Sequence, residues 1–167
     1  RTYLTPDDVN HIVGQTYLDQ IQANKEIEAV YKANSLQRGF IYHFLNQGDI
    51  DDAYLVQLIF EYHHEINIDQ LKTAWEYALR KFSCLRLSFA WDDELLQIID
   101  KDAILDWRYS DLSHEPKGTQ ELIVRKIQKA DREEKYDLGR GNLLRVYLIK
   151  HRDDLYTCLF SNHHAIL

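Results

Sequence analysis

The chain has 167 residues, of which 45% are hydrophobic and 12% aromatic, enough for one ordinary domain with a buried core. Its net charge of −7 at pH 7 argues against nucleic-acid binding, which draws its affinity from clustered Lys and Arg. The longest apolar runs are far shorter than the roughly 20 residues of a membrane helix, and Cys84 and Cys158 lie in apolar stretches that do not indicate a disulfide framework.

The first predicted elements are two helices separated by a weakly patterned segment. A threonine cap, a first-turn proline and apolar residues at helical spacing predict a helix over 6–22. The apolar stripe weakens over 23–33, which indicates a linker before a second unit. A serine at position 35 can cap a short helix over 35–46. We therefore expect an interdomain linker with a helix over 1–27 and the main unit over 28–167.

The middle of the chain alternates between strand and helix patterns. Tyr, Val, Leu and Phe at every second position predict a strand over 54–62 with one buried face. A continuous apolar stripe then predicts a helix over 68–82 that lies on a sheet. Apolar residues over 85–89 and 95–99 indicate a hairpin, and 104–109 is consistent with a short added strand.

The last third of the chain predicts one helix and a pair of strands. Residues 116–135 form a charged helix, and 144–150 and 155–162 form strands around a polar turn. These elements predict an α+β fold, in which a mixed sheet is flanked by helices. We expect one sheet with the last strand central or near-central.

Three side chains are expected in the core of this fold. Trp75 and Leu79 lie on the apolar stripe of the second predicted helix, and Phe60 lies in the predicted strand over 54–62. Their types and spacing predict burial between that helix and the sheet.

Two adjacent histidine pairs are the candidate chemical groups. His63 and His64 end a strand and precede an acidic residue, a pattern typical of an exposed turn. His163 and His164 end the most apolar late strand. Because neighbouring side chains of a strand point to opposite faces, one imidazole can face the core and the other a cleft. Metal binding is disfavoured, since adjacent residues rarely aim at one ion and no third ligand lies nearby in sequence.

Four segments, in order, resemble the motifs of one enzyme family. They are SLQRGFIYH at 35–43, KFSCLRLSF at 81–89, YDL to LLR across 136–145, and SNHHAIL at 161–167. The last resembles the start of an HHxxxDG signature, whose Asp and Gly would be the next two residues. The chain thereby resembles the condensation domains of nonribosomal peptide synthetases, which belong to the chloramphenicol acetyltransferase-like superfamily.

The chain departs from the family pattern at several positions. The second motif is usually RHExLRTxF; here Arg86 is kept, but Phe82, Ser83 and Leu87 stand where the family prefers His, Glu and Thr. Asn142 stands where the family's FDL…PLLR stretch has proline. These departures bear on activity more than on fold.

The resemblance implies half of a two-lobed domain. The family's full domain is a V-shaped pseudodimer of two such lobes, and residues 28–167 would be the N-terminal lobe, ending within the HHxxxDG motif. Residues 4–22 resemble, more distantly, a linker that follows an epimerisation domain in some synthetases.

The resemblance also assigns roles to four residues. His164 would lie in a tunnel between the lobes and act on the attacking amine, as a base or by holding the amine in line. His163 would pack and orient the loop. The aspartate expected after Leu167 would form a structural ion pair with Arg86 or, as a second choice, Arg145.

The implied partners are other parts of a synthetase. Phosphopantetheine arms of an upstream and a downstream carrier domain would deliver the two substrates, and no cofactor would bind the chain directly. The C-terminal lobe of the same domain and an adjacent adenylation domain complete the expected set, in the cytoplasm. No nucleic acid or membrane partner is expected.

Three other functions stay open at this point. An epimerisation domain shares the double-histidine signature but typically differs in the first motif. A free-standing acyltransferase of the same superfamily is another. The altered second motif also allows a degenerate domain that only docks a carrier domain or another protein.

Overall fold

A computed structural model describes residues 26–46, 54–91 and 94–166 of the chain. The helix predicted over 6–22 lies outside the described residues. Within them, the α+β class is confirmed, because three helices and seven strands are present.

The bounds of the elements follow the sequence patterns closely. The helices are α1 (Ser35–Asn46), α2 (Ile68–Lys81) and α3 (Lys117–Glu133). The strands are β1 (Ile27–Lys32), β2 (Leu55–Tyr62), β3 (Leu87–Trp91), β4 (Leu95–Asp100), β5 (Asp106–Asp111), β6 (Leu144–Arg152) and β7 (Leu155–His163). Two one-turn 3-10 helices occupy Ser83–Arg86 and His164–Ile166.

The strands form two sheets, so the expectation of one sheet is wrong. One sheet has the order β1-β4-β3 and the other the order β2-β7-β6-β5. The second sheet is mixed, because β5 runs parallel to β6 while β2, β7 and β6 are antiparallel. The prediction of a central last strand is confirmed, since β7 lies between β2 and β6.

Strand β1 was missed by the sequence patterns, which predicted a linker over 23–33. Its six residues are IEAVYK, and the charged residues Glu28 and Lys32 obscure the apolar alternation. β1 is an edge strand that pairs antiparallel with β4 across a register irregularity between Ile27 and Ala29. An edge strand with one protein neighbour tolerates charged side chains, which is why its hydrophobic signal is weak.

Side-chain caps fix where the first two helices begin. The Oδ1 atom of Asn67 accepts a hydrogen bond of 3.0 Å from the backbone N–H of Gln70, so Asn67 caps α2. Helix α1 is capped by Asn34 rather than by Ser35, because Asn34 Oδ1 accepts a hydrogen bond of 2.8 Å from the backbone N–H of Gln37. The reading of Ser35 as the cap was therefore one residue late.

The core prediction is right for helix α2 and wrong for strand β2. Leu79 is buried, and the half-buried Trp75 stacks on Phe160 of β7 with ring centroids 5.3 Å apart. Phe60, by contrast, is 39% exposed. Phe60 belongs to an edge strand in which residues 58–61 are all exposed. The alternation of apolar and polar residues along β2 therefore does not produce one buried face.

A left-handed turn before β6 explains the missing proline. Gly141 has a φ angle of 84° and Asn142 a φ angle of 57°. A Cβ atom on Gly141 would lie 2.9 Å from Asp100 Oδ2, so glycine is needed there for space as well as for conformation. Proline is held near a φ of about −65° and cannot adopt the conformation of Asn142.

Candidate active site at the end of strand β7

The second histidine pair lies at the end of strand β7, at one end of the four-stranded sheet. The backbone N–H of His163 donates to the carbonyl of Leu143, 3.0 Å away, beside β6. The backbone N–H of His164 donates to the carbonyl of Tyr54, 2.8 Å away, beside β2. Because consecutive peptides are bonded to opposite neighbours, the backbone at the pair is fixed on both sides.

His163 is enclosed and acts as a cap. Its Nδ1 atom accepts a hydrogen bond of 3.2 Å from the backbone N–H of Ala165, in the 3-10 turn that follows. The ring lies beside Tyr54 and Tyr136, with centroids 6.2 and 6.5 Å away. Since Nδ1 is the acceptor, the neutral ring carries its proton on Nε2.

Burial also determines the charge of His163. The side chain is 8% exposed, and desolvation, with a smaller contribution from the nearby His164, lowers its pKa to about 4. His163 is therefore neutral at physiological pH, which the cap requires. A neutral imidazole held by its backbone neighbour is suited to fixing a turn.

His164 has the opposite environment. It is exposed and begins the 3-10 turn, where the chain leaves the strand. Its ring lies against Phe40 of helix α1 at a tilt of 43°, with centroids 5.2 Å apart. The imidazole is therefore in contact with an aromatic side chain while it stays exposed to solvent. The predicted difference in environment between the two histidines is present in the structure.

Asn162 and Tyr54 support the pair and were not identified from the sequence. The Nδ2 atom of Asn162 donates to the carbonyl of His163 at 3.1 Å. The peptide between His163 and His164 is thus held at its carbonyl by Asn162 and at its N–H by Tyr54. Asn162 Oδ1 is buried without a hydrogen-bond partner among the described residues, an arrangement that costs about 1–3 kcal/mol. Only the position of Asn162 next to the pair could have drawn attention to it.

Arg86 is buried at the base of the three-stranded sheet. Its Nη1 atom contacts Glu28 Oε2 and the carbonyl of Asp100, each at 2.7 Å, and its Nε atom donates to the carbonyl of Leu79 at 3.1 Å. Arg86 therefore joins β1, β4 and the end of α2. Its predicted pairing with an aspartate beyond residue 167 stays a prediction.

Arg145 is buried behind the histidine pair. Its Nε atom donates to Oδ1 of the fully buried Asp131 at 2.7 Å, and its guanidinium lies 4.0 Å from the centroid of the Tyr136 ring. The hydroxyl of Tyr136 is 3.0 Å from Ser161 Oγ, two residues before His163. Arg145 and Asp131 thus support the face of β7 on which His163 lies.

The first histidine pair lies at the other end of the β2–β7 ladder. His163 is paired with Leu55 at one end, whereas Tyr62, just before His63, is paired with Tyr156 at the other. His63 and His64 are both exposed, as predicted, and His63 Nε2 lies 3.2 Å from a Glu61 carboxylate oxygen. The structure does not bring the two pairs together.

The described residues show neither a metal-binding cluster nor a membrane-spanning helix. Among the described residues, no three or more His, Cys, Asp or Glu side chains come together as they would around a metal ion. In the same part of the chain, every helix is too short or too polar to cross a lipid bilayer.

Comparison with known proteins identifies clear relatives. The family model described as "Condensation domain" matches residues 27–167. The chain is 47% identical over 137 residues to N-(5-amino-5-carboxypentanoyl)-L-cysteinyl-D-valine synthase of Amycolatopsis lactamdurans, covering 81% of this chain and 4% of that protein. Identity to the synthase of the same name from Penicillium chrysogenum is 39% over 148 residues, which cover 88% of this chain. The chain again spans only 4% of that relative's length.

A solved structure shows the same fold. The starter condensation domain of rhizomide synthetase RzmA superposes with a TM-score of 0.72 at 20% identity, over 83% of this chain and 34% of that chain. The superposition covers about a third of the solved chain, as one lobe of a larger domain would.

Proposed function

Because the chain belongs to the condensation-domain family of nonribosomal peptide synthetases, we propose that it is the N-terminal lobe of a domain that makes an amide bond. The donor is an acyl or peptidyl thioester and the acceptor is an aminoacyl thioester, both tethered to carrier domains. The observation that supports this function best is the contrast between the neutral, buried His163 and the accessible His164 at the end of β7.

The reaction needs one proton acceptor near an attacking amine. The amine nitrogen forms a bond to the thioester carbon, the C–S bond breaks, and the proton lost from nitrogen ends on the departing thiolate. An imidazole suits this transfer because its ordinary pKa lies near physiological pH. His164 either takes the proton from the amine or holds the amine in line for attack.

The remaining residues of the site would contribute geometry. His163 caps the turn, Asn162 and Tyr54 fix the intervening peptide, and Phe40 supports the imidazole of His164. Two tethered reactants delivered beside a fixed group react as if at high effective concentration, which accounts for much of the expected acceleration. No cofactor is needed beyond the phosphopantetheine arms that carry the substrates.

The proposal includes the other parts of a synthetase as partners. An upstream and a downstream carrier domain bring the substrates, the C-terminal lobe closes the tunnel over His164, and an adenylation domain loads the acceptor. We place this assembly in the cytoplasm. An isolated N-terminal lobe supplies one wall of the tunnel and is expected to be inactive.

A degenerate, docking-only domain is a competing function, and the altered second motif still keeps its structural role in the fold. The retained Arg86 makes four hydrogen bonds that join β1, β4 and α2. The altered Phe82 is 51% exposed, and Leu87 is buried among apolar residues. The altered positions therefore leave both the anchor of this motif and the turn at His164 in place.

The test is substitution of His164 in the complete condensation domain. Donor and acceptor carrier domains are loaded separately and mixed with each variant, and the joined product is followed by mass spectrometry. We expect His164→Ala to lower the rate by about 10²-fold or more, because a positioned proton acceptor is lost. His163→Ala should act mainly through folding, seen as lower soluble yield.

The exposed pair provides the matched control. His63→Ala removes an imidazole of the same type and should leave the rate nearly unchanged. Full activity of His164→Ala would remove the catalytic assignment while leaving the family intact. Loss of activity in folded His63→Ala would mean that the wrong pair had been chosen, and a wild-type complete domain without product would favour the docking function.

A further inference from the structure

We propose that Gln37 is a positioning residue for His164, linking the start of helix α1 to the turn that carries the imidazole. The inference rests on the proposed function, because it concerns the same reaction. Gln37 is 7% exposed and 128 residues away from Ala165 along the chain, yet its Nε2 atom donates to the carbonyl of Ala165 at 3.3 Å. Ala165 follows His164 directly.

All of the hydrogen-bonding atoms of the Gln37 side chain are engaged. Nε2 also donates to Gln97 Oε1 at 3.3 Å, and Oε1 accepts a hydrogen bond of 3.0 Å from the backbone N–H of Asn34. The backbone N–H of Gln37 in turn donates to Asn34 Oδ1 at 2.8 Å. Asn34 and Gln37 therefore form a reciprocal capping box. The amide cannot rotate without breaking three contacts, so its direction toward Ala165 is fixed.

Gln97 connects this amide to the three-stranded sheet. Its Nε2 atom donates to the carbonyl of Lys32 at 3.0 Å, at the end of β1. Gln97 itself belongs to β4, which pairs with both β1 and β3. Hydrogen bonds through Gln37 and Gln97 thus connect the turn at His164 to the three-stranded sheet, whereas the turn itself follows a strand of the four-stranded sheet.

The contact completes a set that surrounds His164. The N–H of Ala165 is held by His163 Nδ1, and its carbonyl is held by Gln37. Phe40, one helical turn after Gln37 on the same helix, lies against the His164 ring. Helix α1 therefore contacts both the residue that follows His164 and the ring of His164, so a change at the start of the helix should alter the position of the imidazole.

A cavity beside Gln37 gives the turn room to move. It has a volume of about 500 Å³ and is lined by Gln37, Gln97, Phe40, Cys84, Ala165 and Ile166, among others. Because there is open space next to Ala165, the turn can shift into it once the hydrogen bond from Gln37 is lost. A displacement of about 1 Å is enough to lower a rate strongly when the reaction depends on alignment.

The test uses Gln37→Glu in the complete condensation domain. Glutamate keeps the length, shape and capping oxygen of the side chain but replaces the donor to Ala165 with a second acceptor. We expect the maximal rate of amide formation to fall by about 10-fold, with little change in the carrier concentration that gives half of that rate. Gln37→Met removes both polar atoms without adding charge and should lower the maximal rate of amide formation by a similar factor. It replaces Gln37→Glu as the test variant if Gln37→Glu does not fold.

A matched control separates positioning from general destabilisation. Asn67→Ala removes the corresponding side-chain cap of helix α2, away from the contacts of His164. It should lower the melting temperature of the domain to a comparable extent while leaving the rate of amide formation unchanged. An equal loss of rate in Asn67→Ala and Gln37→Met would overturn the positioning role.

The deciding measurement is a double-mutant cycle with His164→Ala. If Gln37 acts through His164, the fall of about 10-fold should largely disappear when the imidazole is already absent. The same loss in both backgrounds would show that Gln37 acts on the fold and overturn the inference. The His164→Ala rate on its own tests the proposed function: if that variant is fully active, both the catalytic assignment and the role of Gln37 fail. If a Gln37 variant changes only the carrier concentration that gives half of the maximal rate, and not the maximal rate itself, only the role of Gln37 is overturned.

Discussion

The buried, neutral state of His163 predicts a specific loss of stability in acid. Burial lowers the pKa of this imidazole from 6.5 to about 4 in the folded chain. Between these two values the unfolded chain binds a proton at His163 and the folded chain does not, so the free energy of unfolding falls as the pH falls. Below about pH 4 both states are protonated and no further loss arises from this residue.

The size of the effect follows from the same two pKa values. Between pH 7 and pH 5, His163 should lower the free energy of unfolding by about 2 kcal/mol, and by about 3 kcal/mol in all once the pH is below 4. Carboxylates titrate in the same range, so the total pH dependence of the domain contains other contributions. The contribution of His163 is the difference between the wild type and a variant that cannot titrate there.

His163→Asn is the substitution that isolates this contribution. Asparagine places an amide oxygen near the position of Nδ1 and can still accept from the N–H of Ala165, so it retains the cap of the turn. The smaller side chain leaves a cavity, but that cost is the same at every pH. The variant should therefore be less stable than the wild type at pH 7 and lose about 2 kcal/mol less on going to pH 5.

Urea unfolding of the complete condensation domain at pH 7 and pH 5, followed by fluorescence, measures both differences. His63→Asn makes the same substitution at an exposed histidine and is the control for the change of residue type. Parallel pH dependences for the wild type and His163→Asn would refute the reasoning, because they would show that His163 ionises as readily in the folded chain as in the unfolded one.

Two further predictions concern the support behind the site. Asp131→Ala should lower the free energy of unfolding by about 3–5 kcal/mol, since it removes the buried carboxylate that binds Arg145 and Tyr147 and leaves Arg145 only the part-exposed carboxylate of Glu134. Glu133→Ala on the same helix should cost under about 1 kcal/mol, because its pair with Lys129 is exposed. Asn142→Pro should destabilise by more than about 1 kcal/mol, because its φ of 57° is closed to proline, and Asn142→Gly should change stability by less than about 1 kcal/mol. Urea unfolding checks all four, and a stable Asp131→Ala or Asn142→Pro would contradict the contacts and the turn described above.

The elements that sequence predicted well are those whose signal is local. Helix α2 carries a capping asparagine and a continuous apolar stripe, and both survive in the structure with the expected bounds. Strands β6 and β7 each begin with or contain a strong apolar run, and because both are interior strands each is buried over most of its length. Spacing and residue type are enough in such cases, because the whole signal lies within one element.

The misses share a different cause, which is that they depend on pairing between distant segments. The pattern of β1 is ambiguous until β4 is placed beside it, and the exposure of Phe60 follows from the edge position of β2 rather than from its own alternation. Arg86 was recognised as structural, but its partner Glu28 lies 58 residues away. No periodicity within one element encodes such a pairing.

The order of the two histidines follows from where strand β7 ends. Ser161 and His163 lie on the same face of the strand, next to Tyr136, so the side chain of His163 is on the enclosed side. His164 is the first residue of the 3-10 turn, where the chain no longer alternates and a side chain can reach the open side. The enclosed ring caps that turn by accepting a hydrogen bond from the backbone N–H of Ala165, so position 164 lies between the two bonded residues, at the start of the turn. Burial disfavours charge at position 163, so the enclosed site suits the imidazole that holds the turn and the exposed site suits the one that meets a substrate.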